Sequence, residues 1–163
     1  MRETLLLGRW LAVFRVIVGG IFFYLGTMHL IGGWATPEVF TRVVGGMASN
    51  SPFGWYTGSL GALVLGVPAL TAPLFTFGMI ATGLGLMFGA LTRVAIVAGL
   101  WLNLNNFLIG FGGGPVHHGI NLLMASVMVA VWQTGAWRYY SIDALLNGRR
   151  TAVAEAAPIE ARA

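Results

Sequence analysis

The side chains in this sequence equipped for chemistry are few: His29, His117 and His118, the asparagines Asn103, Asn105, Asn106 and Asn121, and Arg15. A neutral imidazole carries one donor and one acceptor, and a carboxamide carries both, so the His and Asn set suits hydrogen bonding to a polar head group. Spacings of three put Asn103 with Asn106, and His118 with Asn121, on shared faces if both stretches are helical. A histidine from each of two facing helices is also how bundles ligate haem. Here the donors would all lie near one end of their helices, and asparagine neighbours do not improve a haem site. Neither haem nor a metal is therefore expected. With no cysteine, disulfides, Cys-ligated zinc and a thiol nucleophile are excluded. No carboxylate falls inside an apolar run, which argues against a proton relay or cation-coupled transport. Nucleotide loops, nucleophile elbows and paired catalytic carboxylates are absent too, so the chain is not expected to be a complete enzyme by itself.

The elements that must position these residues follow from composition. Hydrophobic residues make up 57% of the 163-residue chain and charged residues only 9%, with a mean hydropathy of +0.80. A soluble domain does not have this balance, and lipid must be the solvent. At about 20 residues per span the length fits four transmembrane helices, an all-α integral membrane four-helix bundle, in one domain over residues 1–145. The formal charge of +4 comes entirely from arginines scattered around apolar runs, so it reads as membrane orientation and not as a nucleic-acid surface.

The first span runs from about Trp10 to Ile31, with Gly32, Gly33 and Pro37 as its stop. Residues 35–54 read as a polar, glycine-rich loop. Residues 55–91 are apolar for nearly two span lengths and are interrupted by Pro68 and Pro73. Span three runs from Arg93 to about Gly110 and span four from Val116 to Trp137, and residues 146–163 read as a disordered cytoplasmic tail. Arginine placement arbitrates the ambiguous stretch. With four spans, Arg2, Arg9, Arg93, Arg138, Arg149 and Arg150 share one side, expected to be the cytoplasm of a bacterial inner membrane, and Arg42 alone faces out. Residues 55–72 then form an interfacial or re-entrant helix, and span two starts near Pro73.

Within span one, Arg15, Gly19, Phe22, Gly26 and His29 follow spacings of four, three, four and three and share a face, which should point into the bundle. Arg15 and His29 mark the ends of that face, about 21 Å apart at about 1.5 Å per residue. Arg15 either sits deep, at a cost of up to about 3 kcal/mol, or snorkels to the headgroups. Gly78, Thr82, Gly85 and Gly89 give span two a similar small-residue face for helix packing. Arg93 is expected to set topology and cap the carbonyls ending span two. In this topology His29, the asparagines of span three and the start of span four meet in the outer half of the membrane. Two readings are open: a polar pocket that binds a ligand, or side chains that only join helices.

Three short segments carry a resemblance: Gly-Arg-Trp-Leu-Ala-Val-Phe-Arg at 8–15, Gly-Leu-Met-Phe-Gly-Ala-Leu-Thr-Arg at 85–93, and Tyr-Tyr-Ser-Ile-Asp at 139–143. With them, residues 8–145 resemble the DoxX superfamily, nearest its DoxD branch. The resemblance implies a four-helix membrane protein and a quinone-linked setting, since the DoxD branch is the membrane subunit of thiosulfate:quinone oxidoreductase. Arg93 and Asp143 match positions typical of that pattern, and Asn103–Asn106, His118 and Asn121 occupy its polar stretch. One departure is that family members often have a Glu near the start of span two, where this chain reads Phe77-Gly78-Met79-Ile80. The expected site is thus a quinone head group held by His29, Asn103, Asn106, His118 and Asn121, in a subunit with protein partners or further copies of itself. The other expectation is a non-catalytic accessory or scaffolding subunit of a larger membrane complex.

Overall fold

The computed structural model describes residues 2–146; Met1 and residues 147–163, and with them nearly all of the segment read as a disordered tail, lie outside the described residues. The described chain is all-α: α1 (Arg2–Ile31), α2 (Pro37–Ser49), α3 (Gly54–Tyr56), α4 (Ala62–Gly66), α5 (Pro68–Phe88), α6 (Thr92–Ile109) and α7 (Gly114–Thr134). Four of these, α1 from Leu6, α5, α6 and α7, are long and apolar enough to cross a membrane. They form an antiparallel ring in which α1 and α6 each pack between α5 and α7. Large apolar side chains such as Leu74, Phe77, Val94, Val97 and Leu123 point outward from it, as lipid as solvent requires. We call the end where α1 begins the terminal end, and the opposite end, which carries α2–α4 and the α6–α7 turn, the distal end.

The polar face of α1 lies where its spacing places it. Arg15, Gly19, Phe22 and Gly26 are buried and His29 is half-buried. Its glycines let α5 approach closely: a Cβ on Gly19 would stand 2.7 Å from the Met87 backbone nitrogen, and one on Gly83 would stand 2.5 Å from that of Phe23. The partner face on α5 therefore centres on Gly83. Gly78 and Gly85 of the expected small-residue face pack toward Leu102 and Ala95 of α6.

Residues 35–54 are not a loop. Pro37 opens α2 where a missing N–H costs nothing, and Phe40, Val44 and Met47 recur at spacings of four and three on its inner side. Gly45 and Gly46 disfavour a helix by about 1 kcal/mol each, and burial of Phe40 and Val44 against Tyr56, Ala72 and Ile109 outweighs them. Span two also begins five residues earlier than expected. Pro68, not Pro73, is its first residue, and Pro73 inside the first turns forfeits only one backbone bond. Between α2 and α5, α3, a π-helical turn (Thr57–Gly61) and α4 form a broken segment too short to cross a membrane. Tyr56 anchors it by donating from its hydroxyl to Asn105 Oδ1 at 2.6 Å.

At the terminal end the chain after α7 is clasped to the bundle. Arg15 is 1% exposed, and its guanidinium donates to the carbonyls of Trp137, Tyr139 and Tyr140 at 3.3, 3.2 and 2.8 Å. The arginine does not snorkel; it ties the C-terminal segment to α1. Asp143 completes the clasp by accepting from the Leu91 and Thr92 backbone N–H groups at 2.9 and 2.8 Å. It thereby caps the start of α6 from about fifty residues away, as an anion at a helix N-terminus should. Burial raises the Asp143 pKa, but the backbone N–H bonds from Thr92 and Leu91 and the charge of Arg15 outweigh it, leaving the carboxyl below its ordinary value.

Gly89, with φ of +64°, ends α5, and the N–H groups of Gly89 and Ala90 both reach Gly85 O. Capping of α5 therefore belongs to this glycine and not to Arg93. Arg93 is exposed and lies over the Trp137 ring, 4.4 Å from its centroid. Residues from all three segments at 8–15, 85–93 and 139–143 meet in this clasp: Gly8 against Tyr139, Arg15 against Tyr139 and Tyr140, and Gly89 to Thr92 against Ser141 and Asp143.

Candidate functional site

The distal half of the ring encloses a cavity of about 300 Å³ between all four spans. Phe22, Leu25 and His29 come from α1, Phe75 and Met79 from α5, Leu102, Asn103 and Asn106 from α6, and His117, Ile120, Asn121 and Met124 from α7. Trp34, from the turn after α1, and Met47 of α2 complete its lining. Its volume lies at the lower end of the range for small-molecule sites, and about 150 Å³ is already enough for benzene.

His29 is set by the way α1 ends. Gly33 takes φ of +76°, Gly33 N–H reaches Leu30 O, and Trp34 N–H reaches His29 O at 2.9 Å. This is a Schellman ending, which brings the residue after the glycine back over the last turn. Trp34 accordingly stacks on the His29 ring at 4.0 Å between centroids and 7° between planes, with Phe75 a second near-parallel ring at 5.8 Å. Gly32-Gly33-Trp34, read from sequence only as the end of a span, thus builds one wall of the cavity. The imidazole is fixed by stacking and not by hydrogen bonds: His29 Nδ1 is buried and has no partner among the described residues. An unmet buried polar atom costs about 1–3 kcal/mol.

The asparagines bridge α6 and α7. Asn103 Nδ2 donates to Asn121 O at 2.7 Å, Asn106 Nδ2 to Asn121 Oδ1 at a long 3.4 Å, and Asn121 Nδ2 to His117 O at 2.8 Å. His117 Nε2 lies 3.2 Å from Asn106 O, a bond it makes in the Nε2–H tautomer. These bonds leave Oδ1 of Asn103 and of Asn106 without a donor among the described residues. The weak Asn106 bond is also the one most easily exchanged for another acceptor.

Of the five residues expected at the site, the structure gathers His29, Asn103, Asn106 and Asn121 around the cavity. His118 is elsewhere. It lies on Phe111 at 4.0 Å between centroids, near Phe107, and bonds Phe111 O. His117 takes its place, because Asn121 follows it by four residues and both turn toward α6. Asn105, more than about a third of a turn from the middle of that face at 3.6 residues per turn, is spent on Tyr56 and Trp101 O. Chemically, the site can donate to and accept from a compact polar group while aromatic and thioether side chains hold an apolar ring. The chain matches no protein-family model, no curated protein and no solved structure.

Proposed function

We propose that this chain is the membrane subunit of a quinone-linked oxidoreductase and holds the quinone head group in the distal cavity. What carries the reading is the contrast in that cavity between satisfied walls and unsatisfied polar atoms: His29 Nδ1 has no partner, and Asn106 makes only a long bond. A quinone ring has two carbonyl oxygens that need donors and two flat faces that need apolar cover. Asn103, Asn106 and His29 supply the first, while Phe22, Phe75 and Met79 supply the second. The DoxX resemblance of residues 8–145 supports the same class of ligand. Bound there, a quinone would supply two-electron, two-proton chemistry. The role of this chain's residues is to orient the ring, exclude water and hold a proton at an imidazole, with electrons delivered by a partner subunit. The distribution of Arg9, Arg93 and Arg138 at the terminal end, against Arg42 on α2, supports an orientation with that end toward the cytoplasm of a bacterial inner membrane and the cavity in the outer leaflet.

A second reading, an accessory subunit without a ligand, has its own observation: the asparagines bond to one another and to helix carbonyls and so fasten α6 to α7. Titration with a short-chain quinone analogue in nanodiscs separates the two. A neutral hydrogen bond contributes about 1 kcal/mol, roughly five-fold in affinity. His29→Leu and Asn106→Leu should each weaken binding by about that factor with little change in melting temperature, while His118→Leu leaves affinity unchanged. Unchanged affinity in the first two, with a large fall in melting temperature, would favour the accessory subunit.

A further inference from the structure

We infer that the ligand of the distal cavity enters from the bilayer, and that its hydrocarbon tail rests in an apolar vestibule opening between α5 and α6. This rests on the head-group reading above and adds the route and the shape of the ligand. The vestibule is a second cavity of about 170 Å³, bounded by Phe40, Val44 and Met47 of α2, Val64 of α4, Leu74 of α5 and Trp101 of α6. Leu74 and Trp101 form its mouth on the lipid-facing surface, being 66% and 53% exposed. Its inner wall is the polar cavity's own: Trp34, Met47, Phe75, Leu102 and Asn106 border both spaces.

The chemistry of the two spaces differs in a way that selects an amphiphile. Asn105 and Thr71, the polar side chains that line the vestibule and not the polar cavity, are already paired. Asn105 gives Nδ2 to Trp101 O and takes the Tyr56 hydroxyl on Oδ1, and Thr71 donates to Val64 O at 2.7 Å. The vestibule therefore offers mainly hydrocarbon and aromatic surface. Beyond Asn106 the lining turns polar, with Asn103, Asn121, His117 and His29, whose buried Nδ1 has no partner among the described residues. A molecule that suits both has a polar ring at one end and an apolar chain at the other, with Asn106 at the junction. By comparison with the cavity volume that holds benzene, the vestibule has room for roughly the first five or six carbons of the tail. The rest of the tail leaves past Leu74 and Trp101 into lipid.

The test compares a quinone analogue bearing a ten-carbon tail with the same ring without it, at equal concentration in nanodisc lipid. The proteins are wild type, Leu74→Trp, and Phe77→Trp, the last a lipid-facing control on the same helix. In wild type the tailed compound should bind at least ten-fold more tightly. Leu74→Trp, which fills the mouth, should remove that advantage and leave the tail-less ring unaffected, and Phe77→Trp should change neither. A tailed analogue with a photoreactive group about five or six carbons along the tail should label Leu74, Val64 or Trp101 in wild type, so the route is tested even if Leu74→Trp does not fold. Equal affinity of the two compounds for wild type, or labelling confined to other lipid-facing positions, would overturn the route while the head-group reading stands. If neither compound binds wild type, the head-group reading fails and the route falls with it.

Discussion

Removing the Arg15 guanidinium tests the terminal clasp. In Arg15→Leu three carbonyls, those of Trp137, Tyr139 and Tyr140, lose their donor at once. A buried acceptor left unpaired costs about 1–3 kcal/mol, and these part-buried carbonyls fall in the lower half of that range. The three lie on one short segment and share one donor group, so the costs do not add in full. Against them stands the cost of keeping an arginine among apolar side chains, up to about 3 kcal/mol, which leucine relieves. The carbonyls win, and a net loss of about 2–4 kcal/mol is expected, on the order of 10 °C in melting temperature for a chain of this size. Lysine keeps the charge but not the planar fork, so Arg15→Lys should fall between. Two measurements in nanodiscs decide the matter: the melting temperature, and the rate of tryptic cleavage after the exposed Arg138, which lies within the clasped segment. Arg15→Leu should lower the first and raise the second several-fold. A variant that melts like wild type and resists trypsin equally would show that the clasp contributes nothing.

Three further outcomes follow from the same geometry. Because the Asp143 carboxyl is held below its ordinary pKa, its stabilisation is complete above about pH 4 and is lost as pH falls through the lowered value. Melting temperature against pH should therefore lose an acid-side decline in Asp143→Asn that wild type shows. Gly83→Ala puts a Cβ 2.5 Å from the Phe23 backbone nitrogen and should cost about 1–3 kcal/mol in thermal unfolding, whereas Gly78→Ala, with only Leu102 at 3.9 Å, should be near neutral. Cysteines introduced at Ser49 in α2 and Leu145 after α7 should react with an impermeant maleimide from opposite faces of oriented vesicles, Leu145 from the cytoplasmic face; reaction of both from one face would refute the orientation.

The sequence made the four spans and the inner face of α1 legible, because in lipid the polar and small residues of a span point inward and period 3.6 locates them. It misled where local preference and packing disagree. Gly45 and Gly46 concealed α2, although Phe40, Val44 and Met47 held the helical spacing. It was ambiguous where two helix phases were equally good: Asn121 shares a face with His118 at three residues and with His117 at four, and only the bonds of Asn121 with Asn103 and Asn106 across α6 decide between them. The clasp was invisible in a linear reading, because Asp143 bonds residues about fifty positions away and Arg15 reaches carbonyls more than a hundred away. The segments at 8–15, 85–93 and 139–143 were legible as patterns, and their convergence in space gives them a structural reason.

The central claim, a quinone head group in the distal cavity, is tested most directly by what the protein carries out of its own membrane. Wild type purified in mild detergent from native membranes should yield extractable quinone at close to one molecule per chain, measured by mass spectrometry against an unrelated membrane protein prepared alike. His29→Leu and Asn106→Leu should be depleted several-fold, and His118→Leu should retain it. Quinone in wild type no higher than in the unrelated protein, or equally high in all three variants, would contradict the account.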